Sequence, residues 1–209
     1  MKPLMVLAAS AALWTGGIAL GNAQDTEMSF FVTSTGLGDG ANLGGLEGAD
    51  AHCQSLAEAA GAGAREWRAY LSAEGTDARD RIGSGPWHNA KGDLIAEDVA
   101  SLHGESNGIT KETALTETGA VVNGRGDEPN QHDILTGSNA DGTLSSGNTC
   151  GDWTGNGEGS AMVGHSDRMG LDDSAEAKSW NASHPSRGCS QENLIGTGGN
   201  GYFYCFAAD

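Results

Sequence analysis

Apolar and polar residues along this chain recur with two different periods, and each period predicts an element. Phe30-Phe31-Val32-Thr33-Ser34 predicts an opening strand, ended by the glycine-rich stretch 36–45. From Gly48 to Ala60 the residues Ala49, Cys53, Leu56, Ala57 and Ala60 fall on one helical face, and Gly61 supplies a C-terminal stop. Over Glu66 to Leu71 the period changes to two, with Trp67, Ala69 and Leu71 on one side of a half-buried strand. A second short helix is expected near Ala96 to Leu102. Beyond Gly104 the pattern predicts strands at 120–122, 133–136, 149–153 and 161–163, and an aromatic last strand, Tyr202-Phe203-Tyr204-Cys205-Phe206. Helices early and strands late predict an α+β domain.

The first 23 residues read as a secretory leader. Lys2 provides the positive start, the apolar run from Leu4 to Leu20 is broken at Thr15-Gly16-Gly17, and Gly21-Asn22-Ala23 offers a small-residue cleavage site. The mature chain is then one domain, 24–209, secreted or periplasmic, in a compartment where disulfides persist. The chain has 28 acidic and 11 basic residues, a formal net charge of −17. Losing Lys2 with the leader makes it −18, which argues against nucleic acid and against insertion into or attraction to an anionic membrane.

Four cysteines, Cys53, Cys150, Cys189 and Cys205, suit the oxidising compartment, and three pairings are open to them. Cys53 lies on the predicted helix and Cys205 in the last strand, while Cys150 and Cys189 bracket a glycine-rich, loop-like stretch.

Residues Gly48-Ala49-Asp50-Ala51-His52-Cys53-Gln54 through Arg68-Ala69-Tyr70-Leu71-Ser72 resemble the first helix and following strand of endostatin-like domains, a C-type-lectin-like group. Cys150-Gly151-Asp152-Trp153 is similar to the Cys-x-x-Trp of the same fold, and Phe30 to Leu56 is similar to bacterial secreted proteins labelled lectins. The resemblance implies a C-type-lectin-like α+β fold with nested disulfides, Cys53 to Cys205 and Cys150 to Cys189. Endostatin-like domains bind heparin through an arginine-rich face. Here Arg65, Arg68, Arg79 and Arg81 are the only dense arginines, and the acidic total weighs against sulfated polyanions.

Two candidate sites follow. Glu128-Pro129-Asn130 resembles the calcium-binding tripeptide of C-type lectins, which implies a calcium held by Glu128, Asn130 and Asp133, with sugar hydroxyls completing its shell. Trp180-Asn181 before Cys189 matches part of that family's second calcium element, and Trp153 and Trp180 are candidate sugar-stacking rings. The second site is the loop histidines His132, His165 and His184, which with Asp133 or Asp167 offer a ligand set for zinc or copper, although no His-x-x-x-His spacing is present. No Gly-x-Ser-x-Gly elbow appears. Arg125-Gly126-Asp127 reads as a chance tripeptide, and Asp152 as a loop acid.

The expectation is therefore a secreted, non-enzymatic module that recognises extracellular carbohydrate or a surface glycoprotein with the help of calcium. The alternatives are a metal-dependent enzyme built on the histidines, and a surface protein with no small ligand.

Overall fold

The computed structural model describes residues 27–209, so the leader read over 1–23 lies outside them. In chain order the elements are β1 (Phe30–Val32), α1 (Gly45–Ala59), β2 (Trp67–Ala69), β3 (Trp87–His88), β4 (Leu94–Ala96), α2 (Val99–Leu102), β5 (Asp133–Leu135), α3 (Cys150–Trp153), β6 (Met162–His165), β7 (His184–Pro185), α4 (Gln191–Thr197) and β8 (Gly199–Ala207). A six-stranded sheet has the order β1-β8-β5-β6-β7, with β2 also on β8, and β3 pairs with β4 separately. The chain is thus a mixed α+β protein.

β8 organises the sheet. Along one edge it takes β1 antiparallel, with Phe31 opposite Cys205. Its first half takes β5 in parallel and its second half takes β2 antiparallel. Its side chains alternate between two cores, as the strand period requires. Tyr202, Tyr204 and Phe206 join Phe30, Tyr70, Trp87 and Trp180 on one face. Phe203, Cys205 and Ala207 join Phe31, Trp67, Trp153 and the helix residues Ala49, Cys53 and Ala57 on the other.

α1 has the face the spacing predicts: Ala49, Cys53 and Ala57 are buried and Leu56 packs partly against them. It starts three residues earlier than expected and ends at Ala59, leaving Ala60 exposed, and Gly61 takes the left-handed φ of +84° that stops it. The nested disulfides form, with Cys53–Cys205 joining α1 to β8 and Cys150–Cys189 closing the smaller loop.

Three local expectations change. The strand expected at 149–153 is instead a left-handed turn, with φ of 51°, 64°, 53° and 65° at Cys150, Gly151, Asp152 and Trp153. Left-handed backbone costs non-glycine residues about 1–2 kcal/mol each. Tertiary contacts hold it: Trp153 is fully buried and donates Nε1–H to the Ser72 carbonyl at 2.8 Å, and Cys150 is bridged to Cys189. At 120–122 there is only a bridge between Leu115 and Val121. The helix expected over 96–102 begins at Val99, because Asp98 and Ser101 form a capping box there and Ala96 ends β4.

Candidate metal centre

Neighbouring strands β5, β6 and β7 bring the chemistry together. Asp133 sits directly opposite His165 in the β5–β6 ladder. His184 on β7 is opposite Val163, two residues before His165 and so on the same face. His132 precedes β5, and its ring stacks on His165 with centroids 4.2 Å apart and planes 5° from parallel. Between Val163 and His165 on β6, Gly164 lets the Trp180–Asn181 backbone pass close, since a Cβ there would lie 1.8 Å from the Trp180 carbonyl oxygen.

Each imidazole is oriented by an oxygen on its Nδ1 side. His132 Nδ1 lies 2.9 Å from Asp167 Oδ1, His165 Nδ1 lies 2.7 Å from the Ala177 carbonyl, and His184 Nδ1 lies 3.2 Å from the Pro185 carbonyl. Carbonyl and carboxylate oxygens only accept, so all three Nδ1 atoms donate, and in the neutral ring this leaves Nε2 as the atom a metal would take. Those three Nε2 atoms converge. They lie 3.3, 3.3 and 3.7 Å from Asp133 Oδ1 for His132, His165 and His184, and His165 and His184 Nε2 are 3.0 Å apart.

Asp133 is the anomaly that gives the cluster meaning. Its side chain is 2% exposed, yet neither oxygen accepts a hydrogen bond. An unpartnered buried carboxylate beside imidazole lone pairs is unfavourable until a cation joins them. Donors about 2.0–2.2 Å from one tetrahedral ion stand about 3.3–3.6 Å apart, close to the 3.3 Å that separates Asp133 Oδ1 from Nε2 of both His132 and His165. His132, Asp133 and His165 together can hold a metal ion. His184 is the cleft-side member, with 39% of its side chain exposed against 6% for His132 and 5% for His165.

Second contacts reinforce the arrangement. Burial pushes the Asp167 carboxyl up, but the His132 ring and the backbone N–H of Arg125 outweigh it, so Asp167 stays below the usual carboxylate range. Burial likewise pushes His165 down, and the Asp133 carboxylate and Ala177 carbonyl more than reverse it, so His165 titrates above an ordinary histidine. The centre opens into a cleft of about 770 Å³ whose lining includes His132, His165, His184, Arg125, Arg187 and Leu171.

The other candidates fall elsewhere. Asn130 lines the cleft, its Oδ1 accepting weakly from His132 N–H at 3.4 Å, while Glu128 is exposed and is not part of that lining. Trp153 and Trp180 are not sugar platforms: they are 0% and 3% exposed, because both rings complete the cores. Asn181 is also interior, donating from Nδ2 to Tyr70 Oη and to the Asn139 and Ala140 carbonyls. Asp152 accepts from Glu74 N–H beside the left-handed turn. Asp127 pairs with Lys111. Arg65, Arg68, Arg79 and Arg81 each pair with carboxylates.

The expectation of a non-enzymatic protein is corrected by the buried His132–Asp133–His165 cluster, a group of ligands with catalytic capacity that opens to a cleft. No protein-family model matches the chain, and no curated protein matches it. Among the described residues, no helix is long and apolar enough to cross a membrane.

Proposed function

We propose that this chain is an exported metal-dependent hydrolase with one borderline transition-metal ion, zinc before copper, held by His132, Asp133 and His165, with the fourth position open to water beside His184. The observation that carries this reading is the buried Asp133 carboxylate, which accepts no hydrogen bond and whose Oδ1 lies within 3.3–3.7 Å of three imidazole nitrogens. Imidazole donors favour zinc or copper, whereas calcium takes six to eight oxygens. Such an ion supplies Lewis acidity and a water whose pKa falls to about 7. The protein's share is orientation: Asp167 and the Ala177 carbonyl hold the His132 and His165 rings, the cores bury the inner ligands, and the half-exposed His184 faces the substrate side. Two disulfides support action outside the cytoplasm. The nested bridges, and a last strand paired with both β1 and β2, support a C-type-lectin-like, endostatin-like identity for the fold.

Metal-stripped protein is melted alone and with zinc, copper or calcium, and ester hydrolysis is followed with and without chelator. Zinc or copper should raise the melting temperature and restore the hydrolysis that chelator removes, and His165→Ala should abolish both effects. A rise with calcium alone would overturn the proposal and return Glu128, Asn130 and Asp133 to a calcium–sugar role.

A further inference from the structure

In a chain with 28 acidic residues, an arginine without a carboxylate partner calls for explanation. Arg65, Arg68, Arg79 and Arg81 pair with acids, and Arg168 donates to the Ile109 carbonyl and Asn107 Oδ1. The remaining two, Arg125 and Arg187, form no side-chain hydrogen bond or ion pair among the described residues, and both line the cleft above the histidines. Asp172 and Glu176 line the same cleft without engaging either guanidinium.

The backbone places both arginines deliberately close to the centre. Arg125 N–H donates to Asp167 Oδ2 at 2.6 Å, and Asp167 Oδ1 orients His132. Gly124 makes that approach feasible, since a Cβ there would lie 2.5 Å from Asp167 Oδ2. Arg187 comes two residues after β7, the strand that carries His184, and its N–H donates to Thr197 Oγ1 at 3.2 Å. The segments that aim His132 and carry His184 therefore also carry the two unengaged forks.

Resting on the metal-hydrolase reading, we infer that the substrate carries an oxyanionic group, a carboxylate or a phosphate ester, seated on Arg125 and Arg187 beside the ion. A guanidinium matches such groups through two parallel N–H···O bonds. The metal site sets the reaction, and the arginines select which esters or amides enter.

Inorganic phosphate and acetate are titrated calorimetrically into zinc-loaded and chelator-treated protein, for wild type, Arg125→Gln, Arg187→Gln and the double variant. The double variant should bind the preferred anion at least about tenfold more weakly in both states, with zinc affinity and melting temperature unchanged. Preference for acetate assigns a carboxylate substrate, and preference for phosphate a phosphate ester. Equal anion affinity in wild type and double variant, or no binding of either anion, overturns the inference even when zinc binds. Arginine-dependent anion binding without zinc binding would instead overturn the metal reading and keep the anion seat.

Discussion

β8 and β5 lie side by side in one sheet, yet they solve opposite problems. β8 buries aromatic and sulfur side chains on both faces and is bridged to α1. β5 is three residues long and begins with a buried carboxylate that nothing hydrogen-bonds. The first region supplies stability, and the second holds a charge arrangement that costs stability until a ligand arrives. The apolar end of the sheet holds the polar end in a geometry its own residues would not choose.

That division breaks first at β8. Phe206 contacts the Phe30, Trp87 and Tyr70 rings, with the Phe30 and Trp87 centroids 4.9 and 5.2 Å away. Phe206→Ala should therefore lower the unfolding free energy of metal-free protein by about 3–5 kcal/mol in a denaturant titration. Replacing Cys53 and Cys205 with alanine should cost about 2–5 kcal/mol in the same assay. Asp133→Asn should behave in the opposite way. It removes a buried carboxylate that accepts no hydrogen bond, so at a pH above the raised His165 value, where the neighbouring ring is neutral, metal-free stability should hold or rise, while the gain of about 2.7 kcal/mol expected at a hundredfold zinc excess over Kd should vanish. A metal-free Asp133→Asn protein much weaker than wild type would merge the two regions into one structural unit.

A smaller effect sharpens the contrast within the site. Asp167→Asn keeps the shape but offers His132 an amide in place of a carboxylate, and zinc affinity should fall about 10–100-fold by competition with a chromogenic chelator. The smallest effect is in pH. Burial holds His103, which lies against Tyr70 and Trp180, below the usual histidine value. Its contribution is present above about pH 6.5 and is lost as pH falls through its lowered folded value. His165 has the opposite shift, so without metal its contribution is full below about pH 6.5 and is lost as pH rises through its raised folded value. Melting curves from pH 5 to 8 in chelator should therefore tilt in opposite directions for His103→Phe and His165→Phe, relative to wild type.

Much of the scaffold is legible because local pattern and burial agree there. The α1 face, the alternation at Trp67 and Ala69, and the aromatic run of β8 all lie where their periods place them. The turn at Cys150–Trp153 is not legible, since its left-handed backbone is imposed by a distant carbonyl at Ser72 and by Cys189. β7 is two residues including a proline, too short for any period to register. Residue type alone singles out His132, His165 and His184 with Asp133 or Asp167. Their meeting depends on the register of three strands, which no spacing along the chain encodes. The Glu-Pro-Asn resemblance implies an oxygen-rich calcium cage around Asp133, whereas its Oδ1 lies 3.3 Å from the imidazoles of His132 and His165.

The central place of β8 also governs timing. Phe30–Val32 and Trp67–Ala69 have their ladder partner in Gly199–Ala207, more than 130 positions further along. A chain emerging from a ribosome or a translocation channel therefore carries unpaired strand edges until those residues arrive, and such non-local closure is slow. During that interval its aromatic segments are open to association with one another, so folding yield should depend on how well the newborn chain is shielded.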